Sequence, residues 1–327
     1  MYIKLFLGMV GTALAILLVT ALGIGFILYA LGAFSFTALL IYTVGIGVLQ
    51  WLFAPAVIEL VYSVREADPT RYSWLHEIVE DLSRKSGIRK PKVMIADIPV
   101  PNAFAYGSPL YGNRVAVTRG LLNVLSRDEI AAVLGHEIGH LKHRDVQVMT
   151  FATILPAIFL LLARYLFWWS FWVPVAEERE ERGATPLILV AVIVGVIGFL
   201  LNLLVLGLSR LREYYADYHS ALVVRGGARK LQLALAKIVT STARVVSHRP
   251  EILSHLSPFR ALFITDPNRA VEESEALAEY SREWFIVERL KRRRLTLMDQ
   301  LMELFSTHPH IVKRLRALDE IAKELGQ

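Results

Sequence analysis

Cysteine is absent from all 327 residues. That excludes a disulfide framework and any thiolate metal site, so a transition metal must rely on histidine and carboxylate ligands. Charge is absent too, but only locally. No Asp, Glu, Lys or Arg lies between Lys4 and Glu59, and none lies from Pro186 to Leu208. Internal repeats and low-complexity tracts are also missing, which excludes a repeat array.

What is present is strongly apolar. Hydrophobic residues make up 54% of the chain and mean hydropathy is +0.45, yet 20% of the residues are charged. An ordinary soluble globule is less apolar, so this pattern implies two solvents, lipid for some segments and water for the rest. The net charge of +6 and the pI near 9.5 come with no nucleic-acid recognition motif. Basic residues instead flank the apolar segments, as expected beside membrane helices.

The first uncharged stretch is about twice the ~20 residues one membrane span needs, and far longer than the ~7–15-residue core of a signal peptide. It divides near Leu31-Gly32-Ala33-Phe34-Ser35 into a two-helix hairpin. A second pair follows. Val146 to Ala163 is apolar enough to span, and Arg164, Tyr165, Trp168, Trp169 and Trp172 suit the headgroup boundary. After an acidic loop, Glu177 to Arg182, the run from Pro186 to Leu208 returns. Arg164, Arg179 and Arg182 are the only Lys or Arg on the far side or within a span. The rest share the side of segments 63–145 and 210–327, which the positive-inside rule makes cytoplasmic. The expected protein is predominantly α and multi-pass in the plasma membrane, with four transmembrane helices. Its hairpins occupy 1–62 and 146–209, and a cytoplasmic α+β domain with a small β-sheet is formed from 63–145 and 210–327. Gln50 and Asn202 fall within spans and read as helix–helix hydrogen-bonding groups. Pro55 and Pro156 are candidate kinks.

In the first polar segment the pattern predicts a helix over Trp74 to Lys85 that stops at Gly87. Lys92 to Ala96, Asn102 to Tyr106 and Arg114 to Thr118 read as strands. Ser126-Arg127-Asp128-Glu129 has capping-box spacing and opens a further helix. The second polar segment reads as mostly helical, with a long amphipathic stretch from Val271 to Phe305.

The helix opened by Ser126 carries His136-Glu137-Ile138-Gly139-His140. Residues four apart share a helix face, so both imidazoles reach one zinc ion. Glu137 is turned about 100° away, placed to address a water at the metal as general base without ligating. H-E-x-x-H is the metallopeptidase signature. A catalytic zinc needs a third protein ligand and one open position. Glu213, in Arg212-Glu213-Tyr214-Tyr215-Ala216-Asp217, is the candidate, with His219 as the rival. Asp217 shares Glu213's helix face and can accept a hydrogen bond from a ligating imidazole. Topology supports the pair. If the helices continue, His140 precedes one span and Glu213 follows the next by similar distances, each roughly 8–9 Å from the membrane boundary.

Those two stretches, with Ser306-Thr307-His308-Pro309 after them in the same order, resemble the M48 family of membrane zinc peptidases and, within it, the HtpX heat-shock branch. The resemblance covers nearly the whole chain, and Asp145 also fits the pattern. It implies a gluzincin-type fold, one zinc held by His136, His140 and Glu213, and Glu137 as catalytic base. It implies endoproteolysis of membrane or misfolded proteins. It further implies that Asn102, Ala103, Phe104 and Ala105 form a cleft-edge strand that pairs with extended substrate. His308 or Arg314 would supply an oxyanion donor; otherwise Thr307-His308-Pro309 merely starts a helix. His143 reads as a surface residue or one packed behind the ligands, and His76, His248, His255 and His310 as structural. Two other functions stay open: processing of prenylated C-termini, and a scaffold with a structural zinc.

Overall fold

The computed structural model describes residues 36–171, 184–251, 263–265 and 283–327, with Val19. Its described residues divide into two compact units, 36–51 with 147–171 and 184–208, and 52–146 with the remainder from 209 onward.

The first unit exposes many apolar side chains as well as burying them. Helix α1 (Phe36–Val61) runs through the second half of the long uncharged stretch with Pro55 inside it. Helices α5 (Asp145–Ser170) and α6 (Ala184–Val223) contribute most of the rest. Phe159, Leu166, Val194, Leu201 and Val205 pack together, and Gly198 allows close approach, because a Cβ there would lie 2.9 Å from that of Phe159. Leu161, Trp168, Leu189 and Val196 face outward. Mean hydropathy reaches 2.2 and 3.0 in the most apolar stretches of α5 and α6, of which only 12% and 28% is buried. Both helices are long and apolar enough to cross a membrane, and a soluble protein's core helix would be mostly buried. Tyr165, Trp168 and Trp169 are exposed as expected of boundary aromatics, while Trp172 and the acidic loop fall outside the described residues, as does the first arm of the N-terminal hairpin.

The second unit is α+β. Helix α2 (Ser73–Ser86) ends where Gly87 adopts φ 70, a left-handed turn that costs glycine little. Strands β1 (Val64–Glu66), β2 (Lys92–Ala96), β3 (Ala103–Ser108) and β4 (Gly112–Thr118) form one mixed sheet in the order β1-β2-β4-β3. β2 and β4 are parallel; the outer strands are antiparallel to their neighbours. One sheet face, with Val93, Ile95, Ala103, Val115 and Val117, joins the core under α2 and the helix Arg127–Lys142. The other, with Met94, Phe104, Tyr106 and Ala116, packs on Ile58, Tyr62 and Phe263. A short helix α3 (Arg119–Val124), capped by Thr118, leads to α4 (Arg127–Lys142), which opens on the expected capping box of Ser126 and Glu129. Helix α7 (Gly227–His248) covers α4.

The long amphipathic stretch is not one helix. Among its described residues, α8 (Glu283–Arg292) and α9 (Leu297–Leu304) are separated because Thr296 forms its own capping box with Asp299 and restarts the backbone. The last helix, α10 (Ile311–Glu324), is capped by His310, whose Nδ1 accepts the Val312 N–H. Pro309 therefore lies ahead of the cap and does not start the helix.

Candidate metal centre

Helices α4 and α6 cross closely because their facing residues are small. A Cβ on Gly139 would lie 3.1 Å from the His219 Cβ, and one on Gly135 would lie 3.1 Å from the Ser220 hydroxyl. Ser220 locks the crossing by donating to the Ala132 carbonyl at 2.6 Å. This apposition brings Glu213 to the paired imidazoles.

His136 Nε2 and His140 Nε2 lie 3.1 Å apart, and Glu213 oxygens lie 3.7 and 3.5 Å from them. On the opposite side of each ring stands a carboxylate: His136 Nδ1 is 2.8 Å from Asp217 and His140 Nδ1 is 2.6 Å from Asp145. His140 Nδ1 hydrogen-bonds to Asp145 and the charge of Asp217 faces His136 Nδ1, an arrangement that favours the proton on each Nδ1 and a lone pair on each Nε2. Burial depresses both imidazoles, His140 to about 4, so the rings are neutral. Two buried lone pairs facing each other at this separation repel unless a cation lies between them. Around a tetrahedral zinc with nitrogen bonds near 2.05 Å, ligand atoms are roughly 3.3 Å apart. The donor set fits that ion.

The carboxylates have separate supports. Arg314 is buried and grips Asp217 through two bonds of 2.6 and 3.0 Å, while its Nη1 lies 3.1 Å from Glu213. Burial alone would raise the Glu213 pKa, but the charges of His308 and Arg314 hold it well below the usual carboxylate range. Glu213 is thus an anion, as a ligand must be. Asp145 pairs with buried Arg212 at 2.7 Å. The turn that returns Asp145 to His140 is made by Arg144 at φ 54, a left-handed conformation uncommon for a side-chain-bearing residue.

Glu137 is buried beside this cluster. Burial and the negative charge of Glu213 raise its pKa well above the ordinary value, against a hydrogen bond from the Ala105 N–H. That donor is on the sheet's last strand. Thr118 N–H bonds to the Asn102 carbonyl, so by the antiparallel alternation Phe104 and Tyr106 bond inward to β4, whereas Ala103 and Ala105 turn their N–H and C=O outward.

Other expected positions divide. His308 is at the site, its Nδ1 3.3 Å from Glu213 Oε2, and neither ring nitrogen has a hydrogen-bond partner among the described residues. Asn102 is fully buried, and its carboxamide oxygen accepts the Ile264 N–H, so that side chain ties β3 to residue 264 inside the protein. Arg314 is fully engaged with Asp217, Glu213 and the Ile264 carbonyl. His219 points to Ser86 at 2.9 Å and is outside the metal group. His143 caps α4 and packs on Tyr215 at 4.2 Å. His76 binds the Ala67 carbonyl and His248 that of Arg244, in structural roles, while His255 lies outside the described residues. Sequence reasoning missed Arg212; the signal was a cation one residue from the ligand, on a helix whose neighbours are buried.

Residues 69–322 match the family described as Peptidase family M48. The chain belongs to that family. A Protease HtpX homolog of Aeropyrum pernix is 43% identical over 282 residues, 85% of this chain and 83% of that protein. Protease HtpX homolog 2 of Saccharolobus solfataricus is 39% identical over 323 residues, covering 95% and 96%. The crystal structure of S. mikatae Ste24p matches with a TM-score of 0.51 and 18% identity, over 97% of this chain and 67% of that one, a likeness of fold. The protein is a membrane zinc metallopeptidase of the HtpX-like kind, and its substrates are proteins or peptides.

Proposed function

We propose that this peptidase cuts membrane or misfolded proteins for quality control, with His136, His140 and Glu213 as zinc ligands and Glu137 as general base. The observation that carries the reading is the facing pair of neutral Nε2 atoms 3.1 Å apart beside an anionic Glu213. Held by these residues, zinc would supply Lewis acidity, lowering the pKa of water and polarising the scissile carbonyl. Asp217 and Asp145 hold the imidazole tautomers. Glu137 accepts a proton from water and returns it to the leaving amide nitrogen, a task suited to a carboxyl with a raised pKa. His308, buried beside Glu213, donates to the developing oxyanion.

Substrate enters extended along β3. The Ala105 N–H sets that strand against Glu137, so the outward groups of Ala103 and the Ala105 carbonyl pair with substrate, giving affinity without side-chain selection. Four spans place the catalytic segments on the cytoplasmic side, a reading supported by the distribution of Lys and Arg.

The test uses the full chain in detergent with zinc. Glu137→Gln keeps its zinc, and casein cleavage falls roughly 10²–10⁴-fold. Equal cleavage by the two proteins would remove Glu137 from the reaction.

A further inference from the structure

Helix α9 is built inside out. At 100° per residue, Leu304, Leu297, Leu301, Phe305, Met298 and Met302 fill one arc of about 160°, with Glu303 opposite its centre. In a water-soluble protein such an arc faces the core. Here Leu297, Met298, Leu301 and Phe305 are 79%, 65%, 55% and 57% exposed. Glu303 is instead buried, accepting the His310 N–H at 3.2 Å and pairing with Lys313. The polar face packs on the protein, and the apolar face turns outward.

Its position and flank say what covers it. Arg210 is the first charged residue after the apolar run that ends at Leu208, on the unbroken helix α6. Its Nη1 donates to the carbonyls of Glu303, Leu304 and Ser306 at 2.8, 3.2 and 2.8 Å, holding the end of α9 beside the point where that run stops. Ahead of α9, Arg289, Lys291, Arg292, Arg293 and Arg294 form a basic run. Lys291 and Arg293 pair with Asp319 and Asp299, while Arg292 and Arg294 are exposed. A broad apolar arc preceded by exposed cations suits the boundary of an anionic bilayer.

We propose that α9 lies in the lipid headgroup boundary, its apolar arc among the acyl chains and Arg292 and Arg294 toward anionic headgroups. The proposal rests on the reading of α6 as a span. Because α9 leads directly into the loop bearing His308, its lipid seat fixes that loop.

A chain without cysteine permits a direct test. Leu301→Cys, Leu200→Cys in α6 and Lys323→Cys on α10 each receive a nitroxide label in the full-length zinc protein. The proteins are reconstituted in mixed phosphatidylcholine and phosphatidylglycerol vesicles, and casein cleavage verifies their fold. Collisions with oxygen, which partitions into lipid, are compared with those of a water-soluble nickel chelate. The label at 301 is expected to match that at 200, with oxygen collisions severalfold in excess, while the label at 323 shows the reverse. A 301 label that favours nickel while 200 favours oxygen overturns the proposal alone. So does one shielded from both reagents, which would mark a protein partner or a second copy. A 200 label that favours nickel overturns the span reading, and the proposal with it.

Discussion

The two halves of the metal centre are held by different kinds of interaction. On α4, His136, Glu137 and His140 sit within little more than one turn of a helix whose start is fixed by Ser126 and Glu129, three residues apart. On α6, Glu213 and Asp217 depend on Arg314, which follows Asp217 by 97 residues, and on His308. One half is organised by local periodicity and the other by buried charge. A site so divided can lose its second half while the first remains well formed, and buried ions left without partners destabilise strongly.

The sharpest way to break this comparison is at the ligand itself. Glu213→Ala should weaken zinc binding by more than ~100-fold, beyond the upper end for residues that only support ligands, while metal analysis of His308→Ala should find zinc retained. If Glu213→Ala keeps full zinc, α6 holds no ligand and the two halves do not form one site. Next in size is Arg314→Met. Two buried carboxylates lose their cation, and a loss of about 3–5 kcal/mol is expected in denaturant titration. A change within error would mean that long-range pairing is not what holds the α6 half. Asp145→Asn weakens the support of His140 and also leaves Arg212 of α6 without its carboxylate, and it should weaken zinc affinity about 10–100-fold while the Glu213–Arg314 contact stays in place.

The smallest effect concerns pH. His219 is buried where α6 crosses α4, and burial with the positive charge of Lys142 depresses it from 6.5 to about 3. The unfolded chain therefore binds this proton first, so stability of the metal-free protein falls as pH drops below ~6.5 and levels off near 3. His219→Gln should make that slope shallower by at most ~1.4 kcal/mol per pH unit. An unchanged slope would show that the proton is not taken up on unfolding.

This division also explains what could be read from the sequence. The α4 helix that carries His136 and His140, the Ser126 cap, the Gly87 stop and β2 follow from spacing and local backbone preference, and the structure has them at the expected positions. Glu213 was reachable because it sits four residues from Asp217 just past an apolar run. Arg314 in its present role was not, since no local pattern tells which distant carboxylates a buried guanidinium will join. β1 has three residues, too few for alternation to register, and it exists because β2 offers it an edge. The close crossing of α4 and α6 was visible only as Gly135 and Gly139 four apart, a signal without meaning until Ala216 and Ser220 are known to face them. Asn102 shows the limit of an edge-strand reading, because the backbone near it points outward while its own side chain turns in.

The order of these parts along the chain also sets a timetable. A ribosome completes the histidine-bearing helix long before it makes residues 308 to 314, with the apolar helices α5 and α6 in between. A growing chain can therefore display the first two ligands while the carboxylate that completes them still lacks its guanidinium. The Glu213 and Asp217 carboxylates gain their guanidinium only once the final helix has been made.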